Sequence, residues 1–144
     1  MIRAALTLLL IGIVAACAPA VPQPATFDAS TEACRYCRMT GSNGRSAGQI
    51  VAPGEEPLFF DDIGCLRDYL AAAPPVNGAV AFVTDYATKA WVRADGAAYM
   101  SQPSIDTPMA SHLLAFASPA ARDASPEARG GRALSALDVF GRKP

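Results

Sequence analysis

The sequence predicts an α+β fold in which two small ββαβ units pack together. Three observations support this prediction: short apolar runs bounded by turn residues are typical of strands, one run has the spacing of a helix, and the same order of elements recurs in the second half. A chain of 144 residues has room for one ordinary domain of this kind. Each unit would have one apolar face to bury, and packing the units together buries both faces.

The first unit begins with a hairpin and continues into a helix. Residues 49–52 and 57–60 are short apolar runs separated by the turn sequence PGEE, which predicts two paired strands. Asp61-Asp62 then offers an N-cap for a helix. The apolar positions of this helix recur at helical spacing, at Ile63, Leu66, Tyr69 and Leu70. A buried strand at residues 79–84 completes the unit.

The second unit is predicted to follow the same order. Strands at residues 91–92 and 97–100 surround the Asp95-Gly96 turn, which is typical of a hairpin. Asp106-Thr107-Pro108 then predicts a helix start, and this helix continues through Leu113, Leu114 and Phe116. A last strand is predicted at residues 132–137.

The two halves predict a pseudo-repeat over about residues 45–88 and 89–140. In this alignment Cys65 and Met109 hold equivalent places, each in the first turn of one of two related helices. The repeat therefore predicts one sulfur at the same position in each half.

The first residues have the pattern of an export signal. Arg3 precedes an apolar run at residues 4–16, which is too short to cross a bilayer as a permanent helix. Val14-Ala15-Ala16-Cys17 resembles the bacterial lipoprotein box, so we expect residues 1–16 to be a signal peptide and Cys17 to carry lipid in a bilayer. The alternative is an ordinary signal peptide in which this cysteine is incidental.

The remaining chain is predicted to contain a tether and one domain. Residues 17–32 are rich in Pro and Ala and predict a semi-extended tether, followed by the domain at residues 33–144. Removing the signal peptide takes Arg3 from the 12 basic side chains, so the 13 acidic ones outnumber the rest by two. This charge excludes a nucleic-acid binder, which would show a basic excess.

Lipidation of Cys17 would leave three thiols, at Cys34, Cys37 and Cys65. An odd number of cysteines in an exported protein means that at least one is free, transiently paired or bound to metal. A free thiol in an oxidising compartment risks oxidation, so its presence indicates a use.

The stretch CRYCRM, residues 34–39, allows two geometries. In an extended segment Cys37 and Met39 would point to the same face, with Cys34 turned away. In a tight turn Cys34 and Cys37 would converge instead, as a disulfide clip or a CxxC redox site requires. A thioredoxin-like site also needs a strand-to-helix junction, and the sequence around CRYCRM shows neither flanking pattern.

A soft-metal site fits this composition best. Thiolate and thioether ligands select Cu(I), and Cys37, Met39 and Met109 would supply one anionic and two neutral sulfurs. Zinc would prefer four ligands, and the chain has one histidine and no second CxxC. Further possible ligands are Cys34, Cys65 and His112. Each has an ordinary structural alternative: a disulfide clip for Cys34, a small buried apolar residue for Cys65, a surface or core histidine for His112, and a core gap-filler for Met109.

With these residues assembled, the chain resembles the NosL family of copper-binding lipoproteins of nitrous oxide reductase maturation. The resemblance covers nearly everything after Cys17. It rests on the Cys-x-Met at residues 37–39, on FFDDIGCLRDYL, on VTDYATKAWVRADGAAYM, on the Pro-Met of DTPMASHLLAFAS and on the late Gly130-Gly131. Each motif is weak alone, but their order and spacing make the set specific.

The resemblance implies a Cu(I) metallochaperone, not an enzyme, on the periplasmic side of a bacterial membrane. It implies two ββαβ-type units, in a fold related to that of organomercurial lyase. Copper would pass to the NosDFY transporter machinery and thereby towards the copper centres of nitrous oxide reductase. The family's ligands fall on Cys37, Met39 and Met109, and Ala18 after the lipidated cysteine favours the outer membrane over the inner one.

The chain departs from the family pattern at both sulfur motifs. Many relatives have Gly where Arg38 stands, and glycines commonly flank the Pro-Met where Thr107 and Ala110 stand here. These bulkier residues are expected to restrict how the loops close over copper. A rival hypothesis is an enzyme, either a thiol–disulfide oxidoreductase using Cys34 and Cys37 or an organomercurial-lyase-like protein using Cys and Asp.

Overall fold

A computed structural model describes residues 21–40 and 44–144 of the chain. The predicted signal peptide, Cys17 and the first part of the predicted tether therefore lie outside the described residues. Within these two ranges, no helix combines the length and apolar character that crossing a membrane requires.

The first unit consists of a four-stranded antiparallel sheet and one helix. Its elements are β1 (Gly48–Val51), β2 (Leu58–Phe60), α1 (Ile63–Ala72), β3 (Val80–Thr84) and β4 (Trp91–Arg93). The strand order is β2-β1-β3-β4, so the first strand in sequence lies inside the sheet and β2 lies at an edge. This agrees with the hairpin, helix and strand that the sequence predicts for residues 49–84.

Helix α1 begins and packs as its sequence requires. The Asp62 carboxylate accepts a hydrogen bond of 2.6 Å from the Gly64 N–H, and this N-cap satisfies a donor that the first turn leaves unpaired. Ile63, Leu66 and Leu70 share one face of the helix and are buried. The helix ends at Ala72, just before two prolines that cannot continue it.

The second unit repeats this arrangement with three strands. Its elements are β5 (Ala98–Ser101), β6 (Leu113–Phe116), α2 (Pro119–Ala124), a 3₁₀ turn (Pro126–Ala128), β7 (Arg132–Leu134) and α3 (Ala136–Phe140). The strand order is β6-β5-β7, and all pairs are antiparallel. As in the first unit, the first strand lies between the second and the third, and a helix connects the second strand to the third. The predicted α+β class with two ββαβ units is therefore confirmed.

The helix predicted from Asp106 is wrong. Residues 106–112 form a loop, and Leu113–Phe116, predicted as helix, form strand β6. Two loop residues, Ala110 and His112, have φ values of +53° and +55°, which a right-handed helix does not allow. All four residues of β6 are buried, whereas a helix of this kind would bury only one stripe.

The helix of the second unit starts later, where Ser118 caps α2 and Pro119 occupies its first turn. In the structure α1 therefore corresponds to α2, because each helix follows the second strand of its unit. Met109 precedes β6 in a loop, so Cys65 and Met109 do not hold equivalent helical positions.

The predicted hairpin at Asp95-Gly96 is also wrong. Strand β4 pairs with β3, whereas β5 pairs with β6 and β7, so the two strands belong to different sheets. The turn itself forms, and the N–H groups of Gly96 and Ala97 both donate to the Arg93 carbonyl. It carries the chain from one sheet to the other instead of folding it back.

One apolar core unites the two units. It contains side chains from α1, from both sheets and from α3, among them Phe60, Ile63, Leu66, Val83, Tyr99, Leu113 and Phe140. The Tyr99 ring meets the Phe140 ring edge-on, with 5.7 Å between centroids, and its hydroxyl donates to the Ala94 carbonyl. A smaller cluster on the second sheet contains Met100, Leu114 and Phe116.

Residues 25–27, here named the N-terminal strap, are held on the four-stranded sheet. Gln49 accepts a 2.8 Å hydrogen bond from the Ala25 N–H and donates one to the Ala25 carbonyl. The Phe27 ring packs against Phe59 and Trp91, with centroid distances of 5.3 and 5.9 Å. The neighbouring Gly48 faces Leu66 of α1, so the strap covers the opposite face. Part of the predicted tether is thus packed against the domain.

Asp85, just after β3, connects the two sheets. It forms an isolated parallel bridge with Ala115 of β6. Its carboxylate accepts hydrogen bonds from the N–H groups of Ala87, Thr88 and Ala117 and from the Thr88 hydroxyl, at 2.7–3.1 Å. Asp85 is only 3% exposed, and these hydrogen bonds satisfy its buried carboxylate between the two units.

Candidate metal centre

Three cysteines that are distant in sequence meet in one place. The Sγ atoms of Cys34, Cys37 and Cys65 all lie within 4.8 Å of one another, and we name this group the three-thiol cluster. Cys34 and Cys65 are each 2% exposed, and Cys37 is half-buried. None of the three forms a disulfide. The cluster is therefore a nearly enclosed set of thiols with one more accessible member.

A tight turn brings Cys34 and Cys37 together. The Arg38 N–H donates to the Cys34 carbonyl at 3.0 Å, and the Cys34 N–H donates to the Met39 carbonyl at 2.9 Å. Arg38 has a φ of +68°, in the left-handed region that favours glycine. The turn geometry considered for CRYCRM is therefore the one that forms, and the extended geometry does not.

The turn is attached to the edge strand that leads into α1. The Arg35 N–H donates to the carbonyl of Phe59 in β2 at 2.7 Å, and Ala33 and Thr40 form a bridge that closes the turn. Strand β2 ends at Phe60, and α1 begins at Ile63, which makes Cys65 the third residue of the helix. Cys65 therefore reaches the other two thiols from the first turn of α1.

Backbone N–H groups favour one thiolate within the cluster. Burial opposes ionisation of Cys34, but N–H groups of Asp61, Cys37 and Tyr36 point at its sulfur and bring its pKa below the ordinary value. Burial raises the pKa of Cys37 and Cys65, and the negative charge of Cys34 raises both further. Cys34 is thus the first thiol to ionise, and a bound cation would be needed to draw the second and third protons away.

The loop at residues 106–112 is fastened to the helix that carries Cys65. The Asp62 carboxylate accepts one hydrogen bond from Gly64 and another, of 3.0 Å, from the Met109 N–H. Ser111 lies directly over Gly64, where an added Cβ would be 2.7 Å from the Ser111 Cβ. The backbone of Met109 is therefore held at the N-terminus of α1, where it contacts Asp62. Asp62 lies three positions before Cys65.

The predicted thioether ligands Met39 and Met109 are exposed, on two segments whose backbone is hydrogen-bonded to Cys34 and to the N-cap of α1. The Met39 side chain is 47% exposed and the Met109 side chain 44% exposed, whereas Met100 is buried. The Nδ1 atom of His112 lies 2.9 Å from the Ile105 carbonyl, so this nitrogen is engaged in a hydrogen bond and is not free to bind a metal. The structure thus brings together Cys37 and two residues predicted only as possible ligands, Cys34 and Cys65. The set Cys37, Met39 and Met109 stays a prediction.

Sequence reasoning undervalued Cys65, which it treated equally as a ligand and as a small buried residue. One sequence signal was available, because Cys65 follows the N-cap Asp62 by three positions and so lies in the first turn of a helix. The convergence itself depends on the docking of the 34–37 turn onto β2, which no local spacing reveals.

The donor set suits a soft ion. Thiolates bind Cu(I) well in two- or three-coordinate sites, and the cluster supplies three sulfurs. Structural zinc would need a fourth ligand. Within the described ranges, no other group of three His, Cys, Asp or Glu side chains converges in this way.

We expect Gly64→Ala to detach the 106–112 loop from α1. The new Cβ would clash with Ser111 and press on the Asp62 carboxylate, so the free energy of unfolding should fall by about 1–3 kcal/mol. Thermal unfolding measures the loss, and faster hydrogen exchange at the Met109 amide reports the broken contact with Asp62. Gly96→Ala is the control, because its Cβ would approach nothing closer than 4.0 Å. Equal stability of the two variants would contradict the packing described.

Comparison with known proteins assigns this architecture to one family model. The NosL model matches residues 24–142. The match begins just before the N-terminal strap and ends after α3, so it includes both sheets and all three cysteines of the cluster. No curated protein matches the chain.

Proposed function

The chain belongs to the NosL family, and from this membership and the three-thiol cluster we propose that it binds Cu(I) and carries it to an acceptor protein. The observation that carries the proposal is the convergence of Cys34, Cys37 and Cys65. Three thiols in one nearly dry place are the ligands that monovalent copper prefers. The proposed activity is binding and release, without catalysis of a bond-forming reaction.

The exposure of the three thiols supports a direction for copper exchange. Cys34 is buried in the turn and Cys65 is buried in α1, whereas Cys37 is half-buried. An acceptor sulfur would therefore approach Cu(I) beside Cys37 and replace this ligand first. Met39 and Met109, which are exposed on segments attached to the cluster, would supply neutral thioethers on that side during entry and release.

The cellular role proposed here follows from the sequence motifs and the family. The lipoprotein box supports acylation of Cys17 and an anchor on the periplasmic side of a bacterial membrane, with the outer membrane favoured by Ala18. From there copper would pass to the NosDFY machinery and on towards the copper centres of nitrous oxide reductase.

A titration of the full chain tests the proposal. The chain is reduced, kept anaerobic and titrated with Cu(I) against a competing chelator of known affinity. We expect one tightly bound copper, a large affinity loss for Cys37→Ser, and smaller losses for Met39→Leu and Met109→Leu. Copper that stays with the chelator in the unmodified chain would refute the proposal.

A thiol–disulfide oxidoreductase using Cys34 and Cys37 is the second candidate. Two observations favour it: the lowered pKa of Cys34, and the Cys37 N–H, which lies 3.5 Å from the Cys34 sulfur. A CxxC redox site would begin a helix, however, and residues 34–37 here form a turn closed by Arg38. An insulin-type disulfide reductase activity that Cys34→Ser abolishes, together with unchanged copper affinity, would favour this candidate over the first.

A further inference from the structure

We propose that the three-thiol cluster also captures trivalent arsenic, supplied as arsenite, and that arsenic bound there blocks copper loading. The inference rests on the proposed function in that it takes the same cluster as the working metal site. It concerns a different class of ligand, a neutral trivalent metalloid instead of a monovalent metal ion.

The number and spacing of the thiols fit this ligand. Trivalent arsenic forms three covalent bonds to sulfur in a pyramid and leaves its fourth side to a lone pair. The cluster offers three thiols mutually within 4.8 Å, which small side-chain rotations can bring onto one atom. The predicted set of one cysteine and two methionines, Cys37, Met39 and Met109, would not suffice, because a thioether has no proton to lose and cannot replace a hydroxide on arsenic.

Charge also favours a trivalent ligand in this place. Cu(I) bound by three thiolates would leave two negative charges at a site where Cys34 and Cys65 are buried, and uncompensated buried charge is unfavourable. Arg67, whose charge interacts with Cys65, is already paired with Asp68 at 2.7 Å. Trivalent arsenic with three thiolates is neutral, so its complex places no net charge in the core.

The reaction balances without an oxidant or reductant. Arsenite at neutral pH is the uncharged species As(OH)₃. Three As–O bonds break and three As–S bonds form, and each cysteine proton leaves with one hydroxide as water. Arsenic stays trivalent throughout, and the sulfurs are not oxidised.

The experiment uses the full chain with Cys17→Ala, so that the cluster cysteines are the only thiols. The reduced, anaerobic protein is titrated with sodium arsenite, and three quantities are measured: the arsenic bound per chain by native mass spectrometry, the thiols that remain reactive, and the rise in melting temperature. We expect one arsenic per chain, loss of all three reactive thiols and a higher melting temperature, since the ligand binds the folded state.

Matched variants assign the three bonds. Loss of an outer partner of a metal ligand typically costs roughly 10–100-fold in affinity, so removal of a direct ligand by Cys34→Ser, Cys37→Ser or Cys65→Ser should lower arsenite affinity at least about 100-fold. Met39→Leu and Met109→Leu are the controls and should leave it unchanged. Cys37 is half-buried, so Cys37→Ser keeps the test valid even if a variant at a buried position fails to fold.

Competition with copper separates this inference from the proposed function. Arsenite added first should prevent Cu(I) from leaving the competing chelator for the protein. If Cu(I) binds tightly but arsenite consumes two thiols or fewer, the arsenic inference is overturned and copper binding stands. If arsenite consumes three thiols but Cu(I) stays with the chelator, the proposed function falls and the arsenic site stands.

Discussion

Cys65→Ser is expected to weaken Cu(I) binding by at least about a hundredfold, because the loss of an outer partner of a metal ligand already costs roughly 10–100-fold. The Cys65 sulfur lies within 4.8 Å of the sulfurs of Cys34 and Cys37, and a serine hydroxyl is a poor ligand for a soft ion. Cys65 is 2% exposed, so its effect on copper cannot come from a surface contact with a chelator. The measurement is competition between the reduced protein and a Cu(I) chelator, without oxygen.

This variant separates the two possible ligand sets. If copper is held by Cys37, Met39 and Met109, as the sequence alone predicts, Cys65→Ser will leave the affinity unchanged and Met109→Leu will lower it. If the three thiols hold copper, Cys65→Ser will have the larger effect. Met100→Leu is the control, because Met100 is buried in the smaller core cluster.

Asp85→Ala is expected to lower the free energy of unfolding by about 3 kcal/mol. The change leaves the N–H groups of Ala87, Thr88 and Ala117 without their acceptor at the partly buried junction of the two sheets, and hydrogen bonds to a charged group contribute more than neutral ones. The melting temperature should fall by roughly 10 °C. Thermal and urea unfolding measure both quantities.

The effect of Asp85 should depend on pH. Burial would raise the pKa of Asp85, but hydrogen bonds from Thr88 and Ala117 to the charged form bring its pKa below the ordinary value of 3.8. A lowered pKa in the folded state contributes stability above the ordinary value and loses it as the pH falls further. The difference between the unmodified chain and Asp85→Ala should therefore narrow below about pH 4.

A surface carboxylate provides the control for Asp85. Asp123 is 66% exposed and pairs with Arg122 on α2, and exposed ion pairs contribute about 0–1 kcal/mol. Asp123→Ala should therefore change the melting temperature little. A loss as large as that of Asp85→Ala would mean that the bridge between the sheets is not the cause.

Local signals made the first unit predictable. The PGEE turn, the Asp62 cap and the helical spacing of Ile63, Leu66 and Leu70 each act over a few residues. The sequence contains the same kind of signal at two further places, where no helix was predicted. Ser118-Pro119 starts α2, and Ser135 with Asp138 forms the capping box of α3.

The loop and strand at residues 106–116 could not be predicted in this way. Asp106-Thr107-Pro108 has the composition of a helix start, and the apolar run after it suits either a helix or a strand. The strand forms because β5 offers it a partner and both of its faces become buried, one in the core shared by the two units and the other in the smaller cluster. That outcome depends on contacts between distant segments.

The metal centre was predictable only in part, because contacts between distant segments also complete this site. The spacing of Cys34 and Cys37 allows a turn that joins them as one of two geometries, and the helix cap shows that Cys65 lies in the first turn of a helix. Their meeting depends on long-range contacts, among them the hydrogen bond from the Arg35 N–H to the Phe59 carbonyl and the one from the Asp61 N–H to the Cys34 sulfur. The sequence contains no pattern that announces these contacts.

With the proposed acylation of Cys17, the N-terminal strap would limit how far the domain reaches from a membrane. Gln49 holds Ala25, so the connection from the lipid to the strap would consist of the eight residue steps from Cys17 to Ala25. A fully extended connection of that length spans about 28 Å. A copper acceptor would then have to bind close to the lipid headgroups. A flexible insert after Cys17 would lengthen the connection and let the acceptor bind farther from the membrane.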